Sequence, residues 1–408
     1  MSFDIALSGI QAINEQLNSV SNNIANAGTY GFKTSRANFS AMYAGSQPTG
    51  VEVGSLTQSI GLDGGVLNTG RGLDASINGR GFFVSRDIQN TMLYSRVGIF
   101  SASQDGYLVN PAGNKVQGYA AVVGSAALGA LGDLKVPTGQ IPAVATGQLR
   151  YVGNLSADWP APAVSTFNPA DPTSYNMSKL SVVFDSLGSK HTVTQYFVKG
   201  ATANQVDVHY SFDGAAPPAG AAGNATLQFD GQGQLTASPI VGQPAGPAVK
   251  SLSMTPTNGA APLTFDLVYT GSTQFAGDAV TSSNTPDGYA SGTFTGVALA
   301  VDGSLIASYT NGQTQNVGTL ALASFPDEGS LTSVNDTSWV ASTTSGPPLY
   351  DRPGVGMVGK LTTSALEQSN VDITSELVGL MTAQRNYQAN SKILSTESTM
   401  LQSLMQAV

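Results

Sequence analysis

The sequence predicts a mainly β protein with terminal α-helices: discontinuous nested β domains, plus a helical coiled-coil domain made from both ends of the chain. Three observations carry this prediction. Phe3, Ala6, Ile10, Ile13, Leu17, Val20, Ile24 and Ala27 recur in alternating steps of three and four, the spacing that lines one side of a helix. Ile373, Leu380, Tyr387, Leu394, Leu401 and Val408 recur every seven residues, the repeat of a coiled-coil seam. From Ala75 onward the period between these stripes changes to two, with glycine-rich turns separating short runs, which is the pattern of strands.

Taken in order, the first helix is expected to start at Ser2, a good N-cap, with Asp4 placed well against the helix dipole. Gly28 is the expected C′ terminator. Residues 29–72 read as loop, with Pro48 and sharp turns at Asp63-Gly64-Gly65 and Asn68-Thr69-Gly70. Residues 93–102, 107–110 and 115–119 read as strands of a β-meander. Prolines at 137, 142, 160, 162, 169 and 172 then mark a shift into a second β domain. There, Ser186-Leu187-Gly188-Ser189 joins a hairpin of residues 180–185 and 192–198. Val206, Val208, Tyr210 and Phe212 alternate with polar residues, a strand with one wet face. Residues 214–223 and 241–248 read as surface loops, and strands return at 292–300 and 304–309. A second loop belt at 345–359 leads to the last helix, where Ser369 and Asp372 form a start resembling a capping box.

The resulting organisation is nested. Residues 1–28 with 366–408 form the helical domain, 29–74 with 345–365 a linker, 75–149 with 286–344 an inner β domain, and 150–285 an outer β domain.

Composition narrows the function. Only 11% of the 408 residues are charged, against about 25% in ordinary soluble domains. A polar, weakly charged surface packs readily against identical copies, because few ions must be desolvated. The net charge of −9 argues against nucleic acid and against an anionic membrane surface. Cysteine is absent, which removes disulfides, thiolate metal sites and a cysteine nucleophile. No Lys or Arg precedes Lys33, so no Sec signal is expected. The longest apolar region, residues 119–131, is broken by Gly124 and Gly129 and is too short to insert in a bilayer.

Catalytic groups are scarce. His191 and His209 read as solvated strand histidines, and no metal or cofactor motif is present. The segment Gly354-Val355-Gly356-Met357-Val358-Gly359 matches a dinucleotide fingerprint in spacing. Pro353 precedes it and no βαβ unit surrounds it, so it reads as loop. No cofactor is expected. A carboxylate pair of the glycosidase kind is the residual enzymatic reading.

The terminal stripes are narrow, two positions per heptad, where globular helices use three or four. They are therefore assigned to assembly, with Phe3, Ile10, Ile13, Leu17, Val20, Ile24, Ile373, Leu377, Leu380, Tyr387, Leu394, Leu401, Met405 and Val408 as the interface. Helices with so thin a seam are marginal alone, and both are expected to fray until a partner arrives.

Residues 21–33, Ser21-Asn22-Asn23-Ile24-Ala25-Asn26-Ala27-Gly28-Thr29-Tyr30-Gly31-Phe32-Lys33, closely resemble the N-terminal signature of the bacterial flagellar rod and hook family. Asn68-Thr69-Gly70-Arg71-Gly72-Leu73-Asp74 followed by Gly81-Phe82-Phe83 resembles its second shared block. Leu366 to Asp372 and Met381 to Gln388 resemble its C-terminal signature. The resemblance implies a non-enzymatic subunit that forms a homopolymer, with paired terminal helices as an inner tube around an export channel and β domains outside. The long central insert points to a hook rather than a rod: a curved, flexible tube that passes motor torque to the filament. It further implies export by the flagellar type III apparatus, and a hook-cap protein, rod proteins and hook–filament junction proteins as neighbours. A distal rod subunit is the nearest alternative. A secreted β-rich adhesin or carbohydrate-binding module fits the middle composition but leaves the terminal stripes unexplained.

Overall fold

The computed structural model describes residues 2–122, 127–215, 224–243 and 245–407. It is mainly β, with one helix near each end of the chain, and divides into two compact units. The first comprises Met1–Thr138, Thr295–Ser308 and Thr314–Val408; the second comprises Gly139–Phe294 and Tyr309–Gln313. The second unit is thus wider than the insert of 150–285 expected from composition. No helix among the described residues is long and apolar enough to cross a membrane.

In the first unit, α1 (Ser2–Ala25) and α2 (Ile373–Ala407) are joined by a hairpin of β1 (Ser35–Ala44) and β2 (Gln47–Gln58). This hairpin corrects the loop expected at 29–72. Gly45, Pro48, Gly50 and Gly54 look like loop signals, yet Gly45 sits in the turn and Gly50 is where Ser8 of α1 comes close. The pairing runs from Ser35↔Gln58 to Ala44↔Gln47, with two register shifts. α1 ends at Ala25, earlier than Gly28 suggested, because Asn26 folds back: its side chain donates to the Asn22 carbonyl at 3.0 Å. Asp372 alone caps α2, accepting from the Thr374 N–H at 3.0 Å and the Ser375 hydroxyl at 2.9 Å. Ser369 stays upstream and accepts from the Val371 N–H.

The remaining β structure of this unit packs around an aromatic cluster. Phe82, Tyr94, Phe325 and Trp339 are all buried, and their rings meet edge to face at 4.7–6.0 Å. The strand expected over 93–102 breaks after Ser95, and Ser101–Ala102 forms a separate short strand. The cause is Gly98: it accepts the Ala75 N–H, and a Cβ there would overlap the Ala75 carbonyl. The segment 345–359 also contains a short strand, Leu349–Asp351, paired with Leu322–Ser324. Gly354 and Gly356 have φ of 73° and 65° in turns just after it, so the fingerprint-like spacing is turn chemistry.

The second unit holds two sheets. Met177–Phe184, Lys190–Lys199, Gln205–Phe212, Ala225–Phe229 and Leu235–Ile240 pair in chain order, all antiparallel. Val249–Met254, Leu263–Val268, Gln148–Asn154 and Val280–Pro286 form the other, with one parallel pair. Val206, Val208, Tyr210 and Phe212 point into one core with Tyr151, Phe197 and Tyr269. The Tyr210 and Tyr269 hydroxyls bond each other at 3.1 Å, and Tyr269 donates to Gln195 at 2.8 Å. Burial drives both phenols well above the usual range. Of the loop expected at 214–223, residues 216–223 lie outside the described residues.

Neither histidine is a free strand histidine. His191 is nearly covered, its Nδ1 2.8 Å from Asp213 and its Nε2 3.2 Å from Asp185. His209 stacks on Phe167 at 4.1 Å, and burial lowers its pKa.

Candidate assembly surface

The two terminal helices run antiparallel in constant register. Gly9 lies against Asn390, Val20 against Gly379, and Asn23 against Glu376. Eleven residues forward on α1 match eleven back on α2, and three match three. Small residues let the axes approach: a Cβ on Gly9 would sit 3.1 Å from the Asn390 amide, and Ala383 is fully buried. At the far end the Asn23 amide donates to Glu376 at 2.9 Å and to the Ser35 carbonyl at 2.8 Å. The Asn23 carbonyl oxygen accepts from the Ser35 N–H in return. Each helix thus has a partner within one chain, which supplies part of the ordering the sequence assigned to another copy.

The residues assigned to assembly divide between this contact and open surface. Ile13 and Val20 are buried. Ile10, Leu17, Ile24, Leu380 and Leu394 are half-buried. Phe3, Ile373, Leu377, Tyr387, Leu401 and Met405 are exposed, Leu401 at 55% and Met405 at 82%. Val408 lies outside the described residues. In this register Leu380 and Leu394 fall opposite α1, whereas Leu401 lies past the first residue of α1 and has no α1 side chain beside it. The contact itself is made largely by residues the apolar pattern missed: Gly9, Ala12, Gly379, Ala383 and Asn390. Their small side chains were the available signal.

A buried ionic clasp joins the two chain ends below the helices. Lys33 Nζ lies 2.6 Å from Glu367 Oε1, both side chains fully covered. Arg96, equally buried, reaches Glu367 Oε2 and Asp63 at 3.3 Å each. Further bonds surround the cluster: the Gly64 N–H donates to Glu367, Lys33 donates to the Leu62 carbonyl, and the Gly31 N–H takes the Glu367 carbonyl, while Arg96 Nε is buried with no partner. Asn370 adds three bonds, accepting from the Thr34 N–H and donating to the Ser59 and Leu62 carbonyls. Burial pushes the Lys33 ammonium below the usual lysine range against the opposing pull of Glu367. The short Lys33–Glu367 contact and these extra bonds offset the cost of burying both charges. Lys33 ends the N-terminal signature, and Glu367 and Asn370 lie within the C-terminal one.

Together these features define a class: a subunit whose chain ends are locked into one helical stem, with β structure inserted between them. Comparison with known families gives the same class. Residues 3–33 match the flagella basal body rod protein model, 76–149 the flagellar hook protein FlgE/F/G D1 domain, 154–289 the flagellar basal body protein FlaE D2 domain, and 362–407 the flagellar basal body rod FlgEFG protein C-terminal model. The chain is 36% identical to the flagellar hook protein FlgE of Escherichia coli K12, over 99% of both chains. It is equally similar to that of Salmonella typhimurium and 31% identical to that of Treponema pallidum, over 98% of this chain and 97% of that relative. The chain belongs to the flagellar hook protein FlgE family, a family of structural proteins and not of enzymes. The fold is shared with the crystal structure of Helicobacter pylori FlgE2, at a TM-score of 0.53 and 13% identity, covering 74% of this chain and all of that one.

Proposed function

We propose that this chain is the structural subunit of a flagellar hook, polymerising into a curved, flexible tube that transmits motor torque to the filament. The observation that carries the reading is the apolar surface α2 leaves uncovered: Ile373, Leu377, Met381, Ile393, Leu401 and Met405 stay exposed although α1 is already paired. Burying each would contribute about 1.5–3 kcal/mol at most, so a second copy gains much by covering them. In this reading residues 1–28 with 366–408 form the inner tube, residues 150–285 an outer β domain, and the channel inside conducts exported subunits. The chain leaves by the flagellar type III route, and cap, rod and hook–filament junction proteins adjoin the polymer.

Electron microscopy of polymerised protein tests this. Wild-type chain is expected to form curved tubes, and Leu401→Asp to remain a folded monomer. Straight short rods from the wild type, or normal tubes from Leu401→Asp, would overturn the reading.

A further inference from the structure

Charge on the helical stem is sorted by face. α1 carries Asp4 and Glu15 and no cation; α2 carries Glu376, Glu397, Arg385 and Lys392. Ala383 and Asn390 face α1. Arg385 and Lys392 each lie two residues further on, about 200° around the helix, and are exposed. Both cations therefore sit on the side of α2 turned away from α1, while Glu376 is bonded to Asn23 on the near side. On α1, Ile13 lines the cleft shared with Asn386 and Asn390. Glu15, again two residues on, points away from α2. Glu15, Arg385 and Lys392 make no ion pair among the described residues.

Beside Glu15 lies a cleft of about 490 Å³ lined by Asn18, Asn22, Ser35, Gln58 and Ser333. Glu15 is the one charged group in its wall. Leu56 and Leu331 complete the wall, and Gln58 Oε1 and Asn22 Oδ1 already accept from Trp339 and Asn26, which leaves the Glu15 carboxylate with Asn18 and the serine hydroxyls as the acceptors for a guanidinium.

We propose that Arg385 of one copy seats in the Glu15 cleft of the next, with Lys392 following toward the Asp4 end of α1. The pairing rests on the hook reading and adds to it the contact that sets subunit order. Because the two faces point away from each other within one chain, they cannot satisfy each other there. Each copy instead offers a cationic face to one neighbour and an acidic cleft to another. Such a heterologous contact propagates an open polymer wherever the rotation between copies does not close a ring. It also fixes register, since the apolar stripe beside it would tolerate sliding and a charge pair does not.

The test uses full-length chain with three variants: Arg385→Glu, Glu15→Arg, and both together. Circular dichroism and thermal melting first establish that each monomer retains the wild-type fold, and Arg385→Gln and Glu15→Gln replace any reversal that does not. Either single reversal is expected to raise the critical concentration for polymerisation by about tenfold, a size fitting a partly covered pair. The double variant is expected to recover wild-type assembly. An equimolar mixture of the two single variants should also recover much of it, by alternating. Wild-type assembly by the single variants, or no recovery in the double variant or the mixture, would overturn the pairing while leaving the hook reading intact. Failure of the wild type to form tubes would instead remove the hook reading itself.

Discussion

Replacing Glu367 by Gln should be among the most damaging single changes in the first unit, and the structure gives its size. The carboxylate is fully buried and faces two cations, Lys33 at 2.6 Å and Arg96 at 3.3 Å. Glutamine keeps an oxygen for the Gly64 N–H but leaves Lys33 with no carboxylate partner and Arg96 with only Asp63, which is 39% exposed. Stranding a buried charge in this way costs about 3–5 kcal/mol. Lys33→Met removes a charge instead of stranding one, because Arg96 still neutralises Glu367. It should cost about 1–3 kcal/mol, the value of lost bonds to a charged group. Urea unfolding of monomeric chain would measure both, with tryptophan fluorescence as the signal. Trp339 belongs to the first unit and Trp159 to the second, and the chain has no other tryptophan. In a Trp159→Phe background the signal reports the first unit alone. Glu367→Gln should lower the midpoint by on the order of 1–2 M. A smaller loss from Glu367→Gln than from Lys33→Met would refute the reasoning, since it would mean that the two cations do not depend on the carboxylate.

Two further outcomes follow from local geometry. Gly98→Ala should prevent folding of the first unit, because the new Cβ would overlap the Ala75 carbonyl; a soluble variant with wild-type near-ultraviolet circular dichroism would contradict this. The second unit should be most stable between about pH 4 and 6.5. Burial there opposes ionisation of Asp185, yet bonds from Asn258, the Ser189 N–H and His191 outweigh it and hold the carboxyl at about 2. Its contribution is present above the usual 3.8 and lost as pH falls toward 2. Burial likewise opposes the charged form of His191, but Asp213 and Asp185 raise its pKa above 6.5. That contribution is complete below 6.5 and lost as pH rises through the higher folded value. Thermal melts of His191→Gln should lose the decline above pH 6.5, and an unchanged alkaline slope would count against the interaction.

The terminal helices were legible because a one-sided apolar period survives in any context. That the two ends form one helical domain was read as well, but the residues that make the contact were not, since Gly379 and Ala383 contribute almost nothing to an apolar count while deciding how near the axes come. The β1–β2 hairpin hid behind its own glycines, one of which is required by Ser8 on a helix forty residues earlier. The clasp was out of reach for a different reason. Lys33 and Glu367 are 334 positions apart, and no local pattern announces that two such residues meet. The turn at residues 186–189 was read correctly. The convergence of Asp185 and Asp213 on His191 was not, because it needs the third strand of the sheet.

The separation of Lys33 from Glu367 also orders events in time. A chain made from its N-terminus produces α1 long before α2 exists. Until Glu367 and the residues after it have appeared, α1 has neither its helical partner nor the anion that Lys33 requires. Until then α1 has only the neighbouring β1–β2 hairpin to pack on, and the stem cannot close before the C-terminal segment has been made. On the export route proposed above, that delay would act as a brake on premature folding, released once the C-terminal segment has been made.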